Sequence, residues 1–246
     1  EQIDIDNTMP HNTAEKMAEL GFMGINVPEE YGGAGMDEVS KALVIMEIAK
    51  VDASVAELLA VHTLTNDIFL KRGTEEQKKK YLALGASGKV GAFALTEPGA
   101  GSDASAAKTK AISDGDDYII NGTKCFISNM GPEEGDYVVL IALTDPSAGT
   151  KGMSAIVVDR NTPGFSVGKL ENKMGLRGAN VSELIFQDCR VPKSNLLGKE
   201  GEGFKIAMAA LDGGRIGMAS QAVGIAEGAI DLAVAYAKER VQFKKP

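Results

Sequence analysis

The chain has 246 residues, 44% of them hydrophobic, with 26 basic side chains against 34 acidic ones and a net charge of −8. This is the composition of a soluble globular protein with room for one large domain or two ordinary ones. No Lys/Arg stripe is present to meet a phosphate backbone, which argues against a nucleic-acid partner. The apolar runs are broken too soon to cross a bilayer, and no targeting segment opens the chain. Cys125 and Cys189 stand outside any CxxC or Cys/His cluster, and His11 and His62 are the only histidines, so a metal site is not expected. Both thiols read as reduced structural residues of a cytosolic protein.

Residues 1–89 carry a helical period. "NTAEKMAELGF" sets Ala14, Met17, Ala18 and Phe22 on one face, with Asn12 or Thr13 as N-cap and Gly21 as the stop. "VPEEYGGAGMD" follows as a loop. Further helices are predicted from about Met36 to Lys50 and from about Ala53 to Leu70, and a shorter one enters through Thr74 with Glu75 and Glu76 in its first turn.

The period changes near Val90. "VGAFALTE", "DDYIING", "TKCFISN", "YVVLIALT", "MSAIVVD", "FSVGKL" and "SELIFQD" are short apolar or alternating runs, separated by turn signals at Asp114-Gly115, Asn121-Gly122, Asp145-Pro146 and Pro163-Gly164. Asn121-Gly122 suits a type I′ hairpin turn. After Gly201 the helical period returns and lasts to about Gln242, with Gly213 and Gly214 predicted to kink or break it. The expectation is an α+β chain in three parts: an N-terminal helical domain (1–89), a central β-barrel or sandwich-like domain (90–197), and the start of a C-terminal helical bundle (198–246).

One segment at the start of the β part draws attention. In "ALTEPGAGSDASAAKT", Gly99 and Gly101 let backbone N–H groups approach an anion closely, and Thr96 and Ser102 add hydroxyls. Taken alone, these residues are better explained by an ordinary Gly/Pro turn. The α–β–α order and four other blocks decide between the two readings. "VPEEYGGAG", "DYIINGTKCFISN", the long run from "KMGLRGANVSELIFQDCRVP" through "LDGGRIGMASQAVGIAEGA", and "ERVQF" resemble the acyl-CoA dehydrogenase family, its short-chain (butyryl-CoA) type most of all. The resemblance covers nearly the whole chain, with both ends of the family's fold falling outside it.

The resemblance implies FAD as cofactor, held by Phe93, Leu95, Thr96, Gly101, Ser102, Phe126, Ile127 and Ser128. Thr96 would donate toward the pyrimidine edge of the flavin and Ser128 toward N5, where negative charge develops on reduction. Phe126 and Ser128 stand where the family commonly has Trp and Thr. Arg240 and Phe243 match residues that reach the FAD of a neighbouring subunit, although Lys244 replaces the family's usual glycine after that phenylalanine. Ser102, Asp212, Gly213, Gly214 and Arg215 are implied contacts of the acyl-CoA substrate. The implied reaction is α,β-dehydrogenation of a short acyl-CoA, or its reverse, with an electron-transfer flavoprotein as redox partner. A homotetramer or homodimer is implied, in the cytoplasm or, in a eukaryote, the mitochondrial matrix.

No catalytic residue is assigned. The family's glutamate base lies in most members beyond the last residue of this chain, or in a minority beside the "LDGGR" arginine, where Gly214 stands here. Glu202, Glu227 and Glu239 read as exposed helix carboxylates. The alternatives are a catalytically silent flavin- or CoA-binding fragment or scaffold, and an acyl-CoA oxidase.

Overall fold

A computed structural model describes residues 2–6, 8–132 and 134–245. Four helices open it: α1 (Gln2–Asp6), α2 (Thr13–Glu19), α3 (Glu38–Ala49) and α4 (Ala53–Arg72). The sequence spells out the starts of the two longer ones. The Asp37 carboxylate accepts the Ser40 N–H at 2.9 Å, and that of Asp52 accepts the N–H groups of Ser54 and Val55 at 2.8 and 3.1 Å, which satisfies donors that the first helical turn leaves free. The predicted entry at Thr74 is a capping box with Gln77. It leads through α5 (Glu75–Gln77) and a π-helical turn (Lys78–Leu82) into α6 (Ala83–Ala86).

The central part holds eight strands: β1 (Gly91–Ala94), β2 (Lys110–Asp114), β3 (Asp117–Ser128), β4 (Tyr137–Leu143), β5 (Met153–Asp159), β6 (Phe165–Leu170), β7 (Val181–Pro192) and β8 (Leu196–Leu197). Their order is β6-β7-β3-β2-β4-β5-β8, with β1 joined in parallel to β4. A single residue pair, Lys110 with Leu143, links β2 to β4, and there the sheet folds over on itself. Alternation along β4 and β5 then serves two cores. Val138, Leu140, Ile156 and Val158 face Tyr118, Ile120, Leu184 and Phe186 across the fold, while Val139, Ile141, Ala155 and Val157 face the helices. This arrangement is the sandwich-like domain expected from the sequence.

Two local expectations are corrected. Asn121-Gly122 makes no hairpin turn; β3 runs straight through it with a bulge against β7. A Cβ on Gly122 would stand 2.5 Å from the Thr109 hydroxyl oxygen, so the glycine serves a close approach. The turn is instead at Gly115, with φ +61°, between β2 and β3.

Gly213 and Gly214 also do not break the last helix, since α7 runs unbroken from Gly203 to Glu239. A Cβ at Gly203 would meet Ser154 backbone at 2.5 Å, one at Gly224 the Met46 carbonyl at 2.2 Å, and one at Gly228 the Lys50 carbonyl at 2.4 Å. The glycines thus let α7 lie directly on β5 and on α3. In length and hydropathy α7 would suffice to cross a membrane, unlike the shorter runs expected from the sequence. Its small-residue face is packed on protein instead.

Candidate functional site

Where β1, the end of β3, α4 and α7 meet, they enclose a cavity of about 650 Å³, the size of a cofactor or substrate site. Helix α7 contributes Phe204, Met208, Leu211, Arg215 and Met218, spaced as one helical stripe. Ala60, Val61 and Leu64 of α4 face them. The opposite wall is Phe93, Leu95, Thr96, Gly101, Ser102, Phe126, Ile127 and Ser128.

That wall is locked from behind by a buried ion pair. Lys124 Nζ donates to Glu97 Oε1 and to the Leu95 carbonyl, each at 2.8 Å, and the two side chains are 0% and 7% exposed. The Glu97 carboxylate also accepts the N–H groups of Lys108 and Thr109 at 2.7 and 3.0 Å, so both ends of the 95–109 loop hang on one group. Burial pushes the Glu97 carboxyl upward, but the Lys124 ammonium and the Lys108 N–H outweigh it and hold the group below the usual carboxylate range. Between these anchors the chain reverses tightly, Glu97 and Ala100 exchanging backbone hydrogen bonds at 3.1 and 3.0 Å.

Helix α4 is tied to the same wall. His62 Nδ1 accepts the Gly91 N–H at 3.2 Å and its Nε2 faces the Met23 carbonyl at 3.1 Å. These partners require the neutral ring with its proton on Nε2. Asn129 donates to the carbonyls of Leu58 and Gly91 at 2.9 and 3.3 Å.

The donors that face the cavity are open. Among the described residues no hydrogen bond engages the N–H of Gly99, Gly101 or Ser102, nor the hydroxyls of Thr96 and Ser102. A Cβ built at Gly99 or Gly101 would meet nothing within 4 Å. Phe126 has φ +58°, uncommon for an aromatic residue, where β3 bulges against β7 between Lys124 and Ile127. The bulge turns its ring outward, 63% exposed, at the cavity rim. Free backbone donors, hydroxyls and an exposed ring around an apolar slot fit a flat heteroaromatic group that carries phosphates.

The chain matches the N-terminal domain of acyl-CoA dehydrogenases over residues 1–89, their middle domain over 92–189 and their C-terminal domain over 201–246. The chain belongs to the acyl-CoA dehydrogenase family. It is 54% identical over 249 aligned residues to an acryloyl-CoA reductase (NADH) of Anaerotignum propionicum, covering all of this chain and 63% of that protein. The butyryl-CoA dehydrogenase structure of Megasphaera elsdenii superposes with a TM-score of 0.95 at 45% identity, covering 100% of this chain and 65% of that one. A chain in a structure described as the electron transferring flavoprotein of Acidaminococcus fermentans, and concerned with flavin-based electron bifurcation, matches with a TM-score of 0.96 at 52% identity. It is covered over 64% of its length, and this chain over 99%. The chain thus spans under two thirds of the length of these family members.

The structure gathers eight residues predicted around the flavin, Phe93, Leu95, Thr96, Gly101, Ser102, Phe126, Ile127 and Ser128, together with Gly214 and Arg215 from the predicted substrate contacts. Asp212 lies outside the cavity lining and forms an ion pair with Arg215. Gly213 faces the other side of α7, toward Asp67 and Lys71. Arg240 and Phe243 are not brought to the cavity. Arg240 donates to the Tyr236 hydroxyl at 2.8 Å, and Phe243 is fully exposed in a reverse turn. In that turn Phe243 and Lys244 have φ of +50° and +66°, so Lys244 occupies a left-handed position that glycine suits better.

Sequence reasoning passed over Glu97, Lys124 and Glu57. Glu57 on α4 lies 3.4 Å from the Ser128 hydroxyl. Glu97 stands inside the quoted "TEPGAG" block, so its place in that block was the available signal. Lys124 likewise stands inside the quoted "DYIINGTKCFISN" block, whereas Glu57 lies in no such block and its partner is 71 residues away.

Proposed function

We propose that the protein is an FAD-dependent oxidoreductase acting between the α and β carbons of a short-chain acyl-CoA thioester. The observation that carries this reading is the cavity wall, in which an ion-paired loop presents unengaged N–H and hydroxyl donors beside an outward-turned aromatic ring. When bound, the flavin supplies the hydride acceptor. Thr96 and Ser128 offer hydroxyl donors to the ring edges, Gly99, Gly101 and Ser102 offer N–H groups to phosphate, and Phe126 covers the ring. The apolar stripe of α7 excludes water from the acyl part of the substrate. Arg215, paired with Asp212, is the one cationic side chain among the described residues that line the cavity, suited to the polar portion of the thioester.

The reverse direction, reduction of an α,β-unsaturated acyl-CoA, is supported by the similarity to an acryloyl-CoA reductase. Similarity to a chain from an electron transferring flavoprotein structure supports such a flavoprotein as redox partner. Arg240 and Phe243 reach FAD only in an assembly of two or four copies, so self-association belongs to the proposal. The location proposed is the cytoplasm of a bacterium or, in a eukaryote, the mitochondrial matrix.

The test is the visible spectrum of the flavin-loaded full-length protein under anaerobic conditions, before and after butyryl-CoA. Bleaching of the oxidised band is the expected result. A bound flavin that stays yellow with butyryl-CoA and, once reduced, is not reoxidised by an α,β-unsaturated short acyl-CoA would sink the proposal in both directions.

A further inference from the structure

Ser128 closes the cavity at the end of β3, and its hydroxyl has one side-chain neighbour, Glu57 Oε1 at 3.4 Å. Glu57 projects from α4 one helical turn before Ala60 and Val61, which line the same cavity. The groups that face it are the Ser128 hydroxyl from β3, the Gln221 side chain from α7, and the Lys173 ammonium from the segment between β6 and β7. Lys173 gives two of its three hydrogens to the carbonyls of Leu176 and Ala179 and acts on Glu57 through its charge. The Gln221 amide nitrogen gives one of its two hydrogens to the Ala53 carbonyl at 2.7 Å and turns the other toward Glu57. Among the described residues Glu57 is therefore a half-buried carboxyl group with no ion pair in contact, beside a hydroxyl that has only one hydrogen to give.

That single hydrogen is the point of chemistry. A hydroxyl can donate once and accept twice. If Glu57 is ionised it is an acceptor only, and it takes the Ser128 hydrogen. If Glu57 is protonated it becomes the donor, and the Ser128 hydrogen is free to point into the cavity. We infer that Glu57 is a positioning residue whose protonation state sets whether the Ser128 hydroxyl donates into the cavity or away from it. This rests on the flavin reading above and extends it. Burial pushes the Glu57 carboxyl above its ordinary range, with Ser128, Lys173 and Gln221 opposing in part, so the switch lies higher in pH than for a free glutamate.

The sign follows directly. Below the Glu57 transition, Ser128 donates toward the ring edge and stabilises the charge that reduction places there. Above it, that donor is withdrawn and a carboxylate charge is added nearby, so the reduced form is disfavoured. The experiment is spectroelectrochemical titration of the bound flavin in wild type, Glu57→Gln and Ser128→Ala across pH, with flavin content measured alongside. The expected result is a downward bend in midpoint potential as pH rises in wild type, lost in Glu57→Gln, which holds the high-potential branch throughout, and reduced in Ser128→Ala, where only the carboxylate charge remains. A bend that survives in Glu57→Gln assigns it to another group and overturns the inference. A bend lost in Glu57→Gln but undiminished in Ser128→Ala also overturns it, because the carboxylate would then act by charge alone. If Glu57→Gln does not fold, Ser128→Ala against wild type decides by the same criterion. Failure of wild type to hold flavin at all is a separate outcome, and it removes the flavin reading itself.

Discussion

The predicted site residues fall into two regions that the chain supports very differently. The cavity wall from Phe93 to Ser128 is fastened on its hidden side by Glu97–Lys124, by His62 on Gly91 and by Asn129 on Leu58 and Gly91. Helix α7 is held by close approach at Gly203, Gly217, Gly224 and Gly228 and by the Gln221 amide on the Ala53 carbonyl, and every described residue beyond Gly228 is exposed. Buried polar bonds fix a loop to a single geometry. Glycine contacts fix a helix axis but leave its far end to whatever else packs there. The wall residues therefore converge on one cavity within the chain, while the positions of Arg240 and Phe243 are left to contacts beyond it.

The wall is most sharply broken at its ion pair. Lys124→Ala leaves Glu97 buried with two N–H donors and no counter-charge. Removing one member of such a pair costs about 3–5 kcal/mol, so a large fall in the thermal midpoint is expected, together with loss of retained flavin. Retention of flavin at wild-type levels would show that the 95–109 loop keeps its shape without the pair.

The next largest effect is a pH dependence. In the unfolded chain an imidazole protonates as pH falls through about 6.5, whereas burial holds folded His62 down at about 4. The unfolded state therefore binds the extra proton first. The contribution of His62 is fully present above the unfolded value and drains away between it and about 4, a loss on the order of 3 kcal/mol. Thermal midpoints of wild type and His62→Gln across this window should differ in slope, the variant being flatter. Parallel curves would refute the neutral-imidazole assignment.

Much of this was legible in the sequence, for identifiable reasons. Caps are local, so Thr74 announced its helix through residues three positions away. The α–β–α order was legible because hydrophobic period differs between helix and strand. Asn121-Gly122 misled, because a pair that favours a hairpin turn also suits a bulge when another chain segment needs its space. Here Thr109 occupies the room a Cβ would take, and Asn121 bonds Asp188 instead at 3.1 Å. Gly213 and Gly214 misled in the same way, since a glycine that weakens a free helix also admits a neighbour, here Leu64 Cδ1 at 2.8 Å from a Cβ at Gly214. The partners of Lys124, His62 and Glu57 lie 27 or more residues away. No local pattern announces such bonds.

The helix side of the comparison is sharpened by two glycines in one element. At Gly224 an alanine Cβ would stand 2.2 Å from the Met46 carbonyl, and neither backbone can move alone. Overpacking of that kind costs about 1–3 kcal/mol, so Gly224→Ala should lower the thermal midpoint while leaving flavin content near wild type. Equal loss of flavin would mean that α7 positions the wall as well as covering it.

Gly213→Ala carries the smallest effect and the opposite sign. Nothing lies within 4 Å of a Cβ built there, and φ is not left-handed, so the substitution meets neither contact nor strain. Alanine in place of a helix-interior glycine then stabilises by about 0.5–1 kcal/mol. A rise in the thermal midpoint is expected, read beside the affinity for butyryl-CoA. If stability rises and affinity holds, Gly213 belongs to neither the packing nor the ligand, and the substrate role implied for it by family resemblance is withdrawn. If stability rises and affinity falls, the open space beside Gly213 is kept for the ligand at a measurable cost to the helix.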